Sequence, residues 1–299
     1  MNPRISLSTV ILLTLPPLLW AGNAVVGRVV HEWVPPMTLN LLRWVIALAI
    51  LWPLAGSMVR PGGAMWGYWR RFALLGLLGI GLYNSFQYLA LQTSSPINVT
   101  LVAASMPVWM LLVGALFYGA KVRRQQVVGA VLSIGGVLLV ISRGEWSLLL
   151  GLQLVPGDLF MIAASIVWSF YSWLLANPQE PKEIRGNWAA FLLAQTVFGV
   201  LWCGAFSAGE WALSEQHIVW SWPLAAALLY IGVGPAVIAF RCWSAGVERA
   251  GPTVAGFFSN LAPLFAAIMS SAFLGELPHL YHGAAFALIV GGILFSSRH

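Results

Sequence analysis

Residues 96–107 read PINVTLVAASMP and residues 252–263 read PTVAGFFSNLAP, so both stretches begin and end on proline. The second stretch lies 156 residues after the first, and the same offset relates other glycines and prolines. Six positions recur in this register: Gly76, Pro96, Pro107, Gly119, Gly135 and Gly136 return as Gly232, Pro252, Pro263, Gly275, Gly291 and Gly292. Glycine and proline act mainly on the backbone, so the repeat duplicates bends, close approaches and helix starts. It predicts two similar halves, residues 1–150 and residues 151–299.

The composition places both halves in a lipid membrane. Of the 299 residues, 60% are hydrophobic and 8% are charged, whereas soluble proteins have about 25% charged residues. Charges, prolines and glycines bound ten apolar segments: 5–28, 37–58, 70–91, 97–117, 124–142, 156–176, 187–208, 222–243, 253–274 and 279–297. Each segment is long enough to cross about 30 Å of hydrocarbon as a helix. The sequence therefore predicts an all-α integral membrane protein with ten transmembrane helices.

The lysines and arginines predict how the chain is oriented. With both termini on one side of the membrane, 12 of the 15 basic residues lie on that side: Arg4, Arg60, Arg70, Arg71, Lys121, Arg123, Arg124, Lys182, Arg185, Arg241, Arg249 and Arg298. Arg28 and Arg143 lie on the other side, and Arg43 lies within the second segment. By the positive-inside rule, we expect both termini in the cytoplasm. The basic residues are scattered through short loops, so we expect no nucleic-acid partner.

Five segments per half is an odd number, so the second half enters the membrane from the opposite face. Such inverted repeats usually place a substrate site near the midplane, where the halves meet. Pro107 and Pro263 lie near the centres of the fourth and ninth segments, where each removes a hydrogen bond and kinks the helix. We expect the carbonyls freed near Ala103 and Ser259 to face a central cavity or a neighbouring helix.

Glycines of the fifth and tenth segments indicate close helix packing. They are Gly129, Gly135 and Gly136, and then Gly283, Gly291 and Gly292. We expect these glycines to hold the scaffold together or to form the face of a homodimer, rather than to contact a substrate.

Aromatic and polar side chains at membrane depth indicate the lining of a pathway. The candidates for substrate binding are Trp20, Asn23, Tyr83, Gln87, Ser105, Trp109, Trp168, Tyr171, Trp243 and Asn260. Together they suit a small molecule with an apolar or aromatic body and a small polar head. For each tryptophan, packing against lipid or protein is the alternative. The tryptophans near segment ends are expected to be interfacial anchors: Trp33, Trp44, Trp52, Trp66, Trp69, Trp146, Trp188, Trp211, Trp220 and Trp222.

The charged residues bear on mechanism. No Asp or Glu lies in the middle of a predicted segment, whereas ion-driven carriers commonly use a buried carboxylate. This absence favours facilitated diffusion or exchange. Arg43 could meet a substrate carboxylate or phosphate, reach to the interface, or pair with Glu32. Cys203 and Cys242 offer neither a disulfide framework nor a metal-site spacing, so we expect no metal and no cofactor.

Several motifs together resemble the EamA branch of the drug/metabolite transporter superfamily. They are the five-plus-five segments, the stretch Leu19-Trp20-Ala21-Gly22-Asn23, Arg43 in the second segment, and the proline–proline–glycine spacing that ends in Gly275-Glu276. The first-half counterpart of Glu276 is Ala120, a departure from the common Gly-Glu pair. The resemblance implies a basket of helices around a central cavity, with the fifth and tenth helices peripheral. It also implies a protein of the bacterial inner (plasma) membrane.

This branch includes exporters of aromatic and other neutral amino acids. The resemblance therefore implies that this chain exports such amino acids, by alternating access and without ion coupling. One alternative is a carrier of phosphorylated sugars or nucleotide-sugars, which should need two or more deep Lys or Arg residues. Another is a proton-coupled exporter of drugs or metabolites. An intramembrane enzyme would need a catalytic constellation such as paired aspartates at depth, and the sequence contains none. An ion channel would not explain an inverted repeat with bent central helices.

Overall fold

The computed structural model describes residues 6–94, 99, 102–142, 144–145, 147–151, 155–213, 215, 217–274 and 280–297. Eleven principal helices follow in chain order: α1 Leu7–Val30, α2 Pro36–Ala55, α3 Ala64–Thr93, α4 Met106–Phe117, α5 Arg124–Ile141, α6 Pro156–Ala176, α7 Trp188–Leu213, α8 Trp222–Ala250, α9 Pro252–Ser259, α10 Ala262–Leu274 and α11 Leu280–Ser296. Short helical turns lie at Gly56–Val59, Ser147–Leu150 and Lys182–Arg185. The described ranges contain no β-strand.

Seven helices in the described ranges are long and apolar enough to cross a membrane. They are α1, α2 with the turn that follows it, α3, α5, α6, α7 and α8. The remaining predicted segments appear as shorter helices: α4 and α11 have 12 and 17 residues, and α9 and α10 have 8 and 13. The all-helical prediction is confirmed, whereas three of the ten segments are not single long helices.

Proline accounts for two of these shorter segments. Two-residue turns interrupt the fourth and ninth segments just before Pro107 and Pro263. In each turn a backbone N–H bonds three residues back, that of Ser105 and that of Leu261, both at 3.0 Å. These two residues are themselves 156 positions apart. The predicted kinks are therefore present as breaks, and each proline lies in the first turn of the helix that restarts.

Two π-helical stretches are also related by the repeat. Gly76–Leu82 lies within α3 and Gly232–Ile238 lies within α8, again 156 residues apart. A π-turn hydrogen-bonds five residues back, which disturbs the ordinary helical pattern and is frequent at functional sites. One backbone carbonyl of the first stretch is hydrogen-bonded by a side chain of another helix: Asn40 Nδ2 donates to Ile80 O at 3.0 Å.

The helices pack in pairs that follow the repeat. α2 packs against α7, α5 against α11, α3 against α6, and α1 against α8. The α5–α11 contact is close, since a Cβ built on Gly129 or Gly292 would lie 2.7 Å from the carbonyl oxygen of the other. Gly136 is similarly crowded by α11. The predicted close packing is confirmed at these three glycines. Within the chain no such contact occurs at three others, whose Cβ positions are open: Gly135, Gly283 and Gly291.

The outer surface is apolar. On α1 the exposed large side chains are Leu7, Ile11, Leu18, Val25 and Val29, whose spacings of four and seven residues put them on one face. The buried residues of the same helix include Thr9, Asn23 and Gly27. A helix with its apolar face outward and polar groups inward is suited to lipid rather than to water. Pro96, Gly275 and Glu276 lie outside the described residues.

Candidate substrate site

Six aromatic side chains meet between four helices. We call them the aromatic cluster: Trp20 on α1, Tyr83 on α3, Trp168 and Tyr171 on α6, and Phe240 and Trp243 on α8. On α6 and α8 the paired residues are three positions apart, so that each pair shares a helix face. The cluster is thus assembled from both halves of the chain.

Trp168 is at the middle of the aromatic cluster. Its ring centroid lies 4.5 Å from that of Tyr83 and 4.9 Å from that of Tyr171. It lies 5.1 Å from Trp20, with the two rings perpendicular, and 5.4 Å from Trp243. These are the separations and tilts at which aromatic rings attract one another. Trp168, Tyr171 and Trp243 have no exposed surface, so their rings are packed against one another and against the surrounding helices.

Most polar atoms of the aromatic cluster are hydrogen-bonded. Trp243 Nε1 donates to Ser172 Oγ at 3.1 Å, and the Tyr171 hydroxyl donates to Gln195 Oε1 at 3.0 Å. Trp168 Nε1 is buried and has no acceptor among the described residues. The cluster is therefore a set of closely packed apolar rings with one donor, Trp168 Nε1, that no described residue uses.

A buried polar group adjoins the aromatic cluster. Arg43 on α2 is fully buried, and its Nη1 donates to Asn84 Oδ1 at 2.9 Å and to the Tyr88 hydroxyl at 3.1 Å. The Tyr88 hydroxyl in turn donates to Asn23 Oδ1 at 3.2 Å. We call these four residues the Arg43 network. Arg43 neither reaches to the interface nor pairs with Glu32, so two of the three expectations for it are wrong.

Five predicted site residues are not part of the aromatic cluster: Asn23, which belongs to the Arg43 network, and Gln87, Ser105, Trp109 and Asn260. Trp109 Nε1 donates to Ser105 Oγ at 2.9 Å, one turn away within the broken fourth segment. Asn260 donates to Ser133 Oγ on α5 at 2.9 Å, which turns its amide toward a neighbouring scaffold helix. Gln87 lies one turn beyond Tyr83 and is half-buried.

The sequence matches the EamA-like transporter family over residues 7–142 and again over residues 155–298. The chain belongs to the EamA-like transporter family. This family consists of multi-pass membrane transporters, which agrees with the apolar helices described above. The two matched ranges fall one in each half of the chain.

Named relatives of this EamA-like chain include amino-acid exporters. It is 27% identical over 280 residues to the aromatic amino acid exporter YddG of Ancylobacter novellus, with 92% of each chain covered. It is 23% identical to a protein named probable amino-acid metabolite efflux pump of Salmonella typhimurium, covering 92% of this chain and 90% of that one. A solved crystal structure superimposes with a TM-score of 0.72 at 25% identity, over 96% of both chains.

Two aromatic residues of this EamA-like transporter, one in the aromatic cluster and one packed against it, were not among the sequence candidates. Trp44 was expected to be an interfacial anchor, which is wrong, because it is fully buried and its ring lies 4.8 Å from that of Phe240. Phe240 contacts Trp168 at 5.4 Å. The repeat register could have identified Phe240, because it is the counterpart of Asn84 at an offset of 156. Nothing comparable distinguishes Trp44 from the anchors.

An ion-pair cluster of this transporter is centred on Glu180, which lies on the loop after α6 and outside the membrane-spanning helices. The Glu180 carboxylate is buried and accepts from Arg71 Nε and, at 3.0 Å, from Arg185 Nη1. Burial acts to raise the pKa of Glu180, but Arg71, backbone amides and Arg185 outweigh it and hold the pKa below its ordinary value. The exposed Glu248 makes a weaker 3.5 Å contact with Arg185 Nε. The cluster ties the start of α3 to the end of α6.

An open pocket of about 760 Å³ lies apart from the aromatic cluster. Its wall comes from the start of α1, the connection before α5, the start of α9 and the end of α11. Lys121, Arg123 and Arg249 line it together with neutral side chains. It lies at the end of the molecule to which the basic residues assign the cytoplasm.

Proposed function

We propose that this EamA-like transporter exports neutral aromatic amino acids and related small metabolites by alternating access, as a uniporter or an exchanger. The observation that carries the proposal is the aromatic cluster, which joins flat apolar faces from both halves and adjoins one buried cation. Aromatic faces favour a flat apolar side chain, and a few convergent polar groups orient the rest of the ligand. The named amino-acid exporters among the relatives support this substrate class.

The architecture proposed with this function has ten membrane crossings in two inverted repeats, residues 1–150 and 151–299. The α9 and α10 helices would together form one broken crossing. Support comes from the paired π-helical stretches, the paired breaks before Pro107 and Pro263, and the twofold family match. Both termini would be cytoplasmic in a bacterial inner membrane, as the basic residues favour.

Uncoupled transport is the mechanism we propose. Among the described residues, the buried carboxylates are Asp158 and Glu180, and both lie at helix ends or in loops with protein partners. Neither belongs to the aromatic cluster or to the Arg43 network. A carrier driven by protons or sodium commonly needs an acidic side chain at its central site.

A carrier of sugar phosphates is the second candidate, and the charges disfavour it. The buried cations among the described residues are Arg43 and Arg71, and Arg71 is already paired with Glu180. A phosphate dianion would be left with one cation at this depth, whereas an α-carboxylate needs only one.

Ligand-dependent unfolding of the purified protein distinguishes these two candidates. A ligand that binds only the folded state at about ten times its Kd adds about 1.4 kcal/mol to stability. We expect phenylalanine, tyrosine and tryptophan to raise the melting temperature saturably, and glucose 6-phosphate and UDP-glucose to leave it unchanged. Stabilisation by the phosphates but not by the amino acids would overturn the proposed substrate class.

A further inference from the structure

The guanidinium of Arg43 is only half satisfied. Nη1 makes both of its hydrogen bonds within the protein, to Asn84 and Tyr88. Nε and Nη2 are buried and have no acceptor among the described residues. A buried donor left without an acceptor is destabilising, and more so when the group is charged. A side chain of this kind needs an explanation that the protein's own contacts do not supply.

The unsatisfied atoms form one edge of the guanidinium. Nε–H and one Nη2–H point the same way and make the planar two-pronged edge that binds both oxygens of a carboxylate. The two protein hydrogen bonds are on the other side of the group, at Nη1. They hold the guanidinium in place and leave this edge without a hydrogen-bond partner among the described residues.

No acidic residue in the described part of the chain neutralises Arg43. The Asp158 carboxylate accepts from Val155 N at 2.9 Å at the start of α6, and Glu180 is held by Arg71 and Arg185. A buried cation without a counterion is strongly unfavourable in a membrane protein. Among the described residues the Arg43 guanidinium has no counterion, and a bound anionic group would supply one.

Arg43 lies close enough to the aromatic cluster for one amino acid to contact both, with its carboxylate at Arg43 and its side chain on the cluster. The Arg43 Cζ atom is 5.6 Å from the centroid of the Trp44 ring, and that ring is 4.8 Å from Phe240. Phe240 packs directly on Trp168. Trp44 Nε1 and Trp168 Nε1 are buried donors without acceptors in the described ranges, so this region has several unused donors.

We infer that Arg43 binds the carboxylate of the transported amino acid through Nε and Nη2, with the substrate's aromatic side chain directed at the aromatic cluster. The inference rests on the proposed function for the identity of the substrate. Asn84 and Tyr88 are positioning residues, because they hold the guanidinium from its opposite side. Specificity for amino acids over aromatic amines follows from this one contact.

Competition against uptake of labelled L-phenylalanine into proteoliposomes tests the inference. In the wild type, 3-phenylpropionate, which keeps the carboxylate, should inhibit more strongly than phenethylamine, which keeps only the amine. Arg43→Gln should raise the KM for phenylalanine by about tenfold or more, as loss of a charge-assisted pair predicts. It should also abolish the preference for 3-phenylpropionate. Arg43→Lys keeps the charge without the two-pronged edge and should restore part of that preference.

Arg28→Gln is the matched control, because Arg28 is an exposed arginine. It should leave both the KM and the inhibitor preference unchanged. The inference is overturned if Arg43→Gln stays within about twofold of the wild-type KM, or if it weakens both inhibitors equally. Equal weakening is the result that a purely structural role for Arg43 predicts.

Failure of the proposed function looks different. If wild-type vesicles show no saturable phenylalanine uptake, the proposed substrate class is wrong. The carboxylate site at Arg43 is then tested separately, by ligand binding to the purified protein. The melting temperature should then still rise with 3-phenylpropionate in the wild type and not in Arg43→Gln. No shift in the wild type overturns the carboxylate site as well.

Discussion

At the scale of single residues, Trp168 has two roles: it packs in the interior of the folded protein, and we propose that it binds the substrate. It is fully buried among other rings, so replacing it by alanine would leave a large cavity and cost about 3–5 kcal/mol. Such a variant could not separate lost binding from lost folding. Phenylalanine keeps an aromatic face and most of the volume, and is the more informative substitution.

We expect Trp168→Phe to fold and to raise the KM for phenylalanine by about two- to tenfold, because aromatic pairs contribute about 0.5–1.5 kcal/mol beyond burial. Uptake kinetics and the melting temperature in detergent measure the two effects. Trp222→Phe is the control, since Trp222 is 89% exposed on the outer surface. Equal KM values for both variants would contradict a binding role for the aromatic cluster.

Glu180 gives a prediction about pH. Its pKa in the folded protein is lowered from the ordinary value of 4.5, so its ion pairs stabilise the folded state above that value and are lost as the pH falls below it. We expect Glu180→Gln to lower stability by about 3–5 kcal/mol at pH 7. The difference from wild type should shrink as the pH falls below 4.5.

Thermal unfolding in detergent between neutral and acidic pH measures that difference. Glu248→Gln is the matched control, because Glu248 is exposed and its contact with Arg185 is long. Exposed pairs contribute about 0–1 kcal/mol, so this variant should resemble the wild type at every pH. A gap between Glu180→Gln and wild type that stays constant into acid would contradict the role given to the Glu180 carboxylate.

At the scale of helices, the repeated glycines and prolines predicted where the helices bend, but they did not predict how long the helices are. Proline removes a donor wherever it occurs, so the breaks before Pro107 and Pro263 could be inferred from sequence alone. The π-helical stretches could not, because their starts at Gly76 and Gly232 give no separate signal. Each of these glycines lies close to a neighbouring helix, which explains why a larger residue does not fit. A Cβ added at Gly76 would lie 2.7 Å from an atom of α7, and one added at Gly232 would lie 2.7 Å from an atom of α2.

Adjacent glycines on α11 allow a matched test of helix packing. Gly292→Ala places a methyl group 2.7 Å from Gly129 O, so we expect a loss of about 1–3 kcal/mol. At Gly291 the same methyl group meets nothing within 4 Å, and Gly291→Ala should be neutral or stabilise by about 0.4–1 kcal/mol. Unfolding midpoints in detergent measure both. Equal stability of the two variants would mean that α5 and α11 do not pack through this glycine.

At the scale of the whole molecule, the distribution of lysine and arginine predicts which ends of the helices face the cytoplasm. The native cysteines are buried, Cys203 at 1% and Cys242 at 8% exposure, so single introduced cysteines can report on topology. Glu215→Cys should react with a membrane-impermeant maleimide in intact cells. Lys121→Cys should react only after permeabilisation. The reverse pattern would contradict the proposed orientation.

The all-helical fold and most of the aromatic cluster could be predicted from sequence because lipid imposes strong constraints. Backbone groups must be satisfied within each segment, and polar side chains must face inward. The placement of Asn260 toward Ser133, and of Trp44 against Phe240, could not be predicted in this way. Both depend on the rotation of a helix about its own axis, which is determined by packing against several neighbours at once. The close packing of the rings could not be predicted either, since it is a property of all four helices together.

The measurement that tests the central claim most directly is uptake of labelled L-phenylalanine into sealed proteoliposomes, with and without imposed pH and Na⁺ gradients. We expect saturable uptake without any gradient, and reduced uptake in vesicles that contain Trp168→Phe or Arg43→Gln. Uptake that appears only when a gradient is imposed would contradict the uncoupled mechanism. Absence of saturable uptake under every condition would contradict the assignment of aromatic amino acids as substrates.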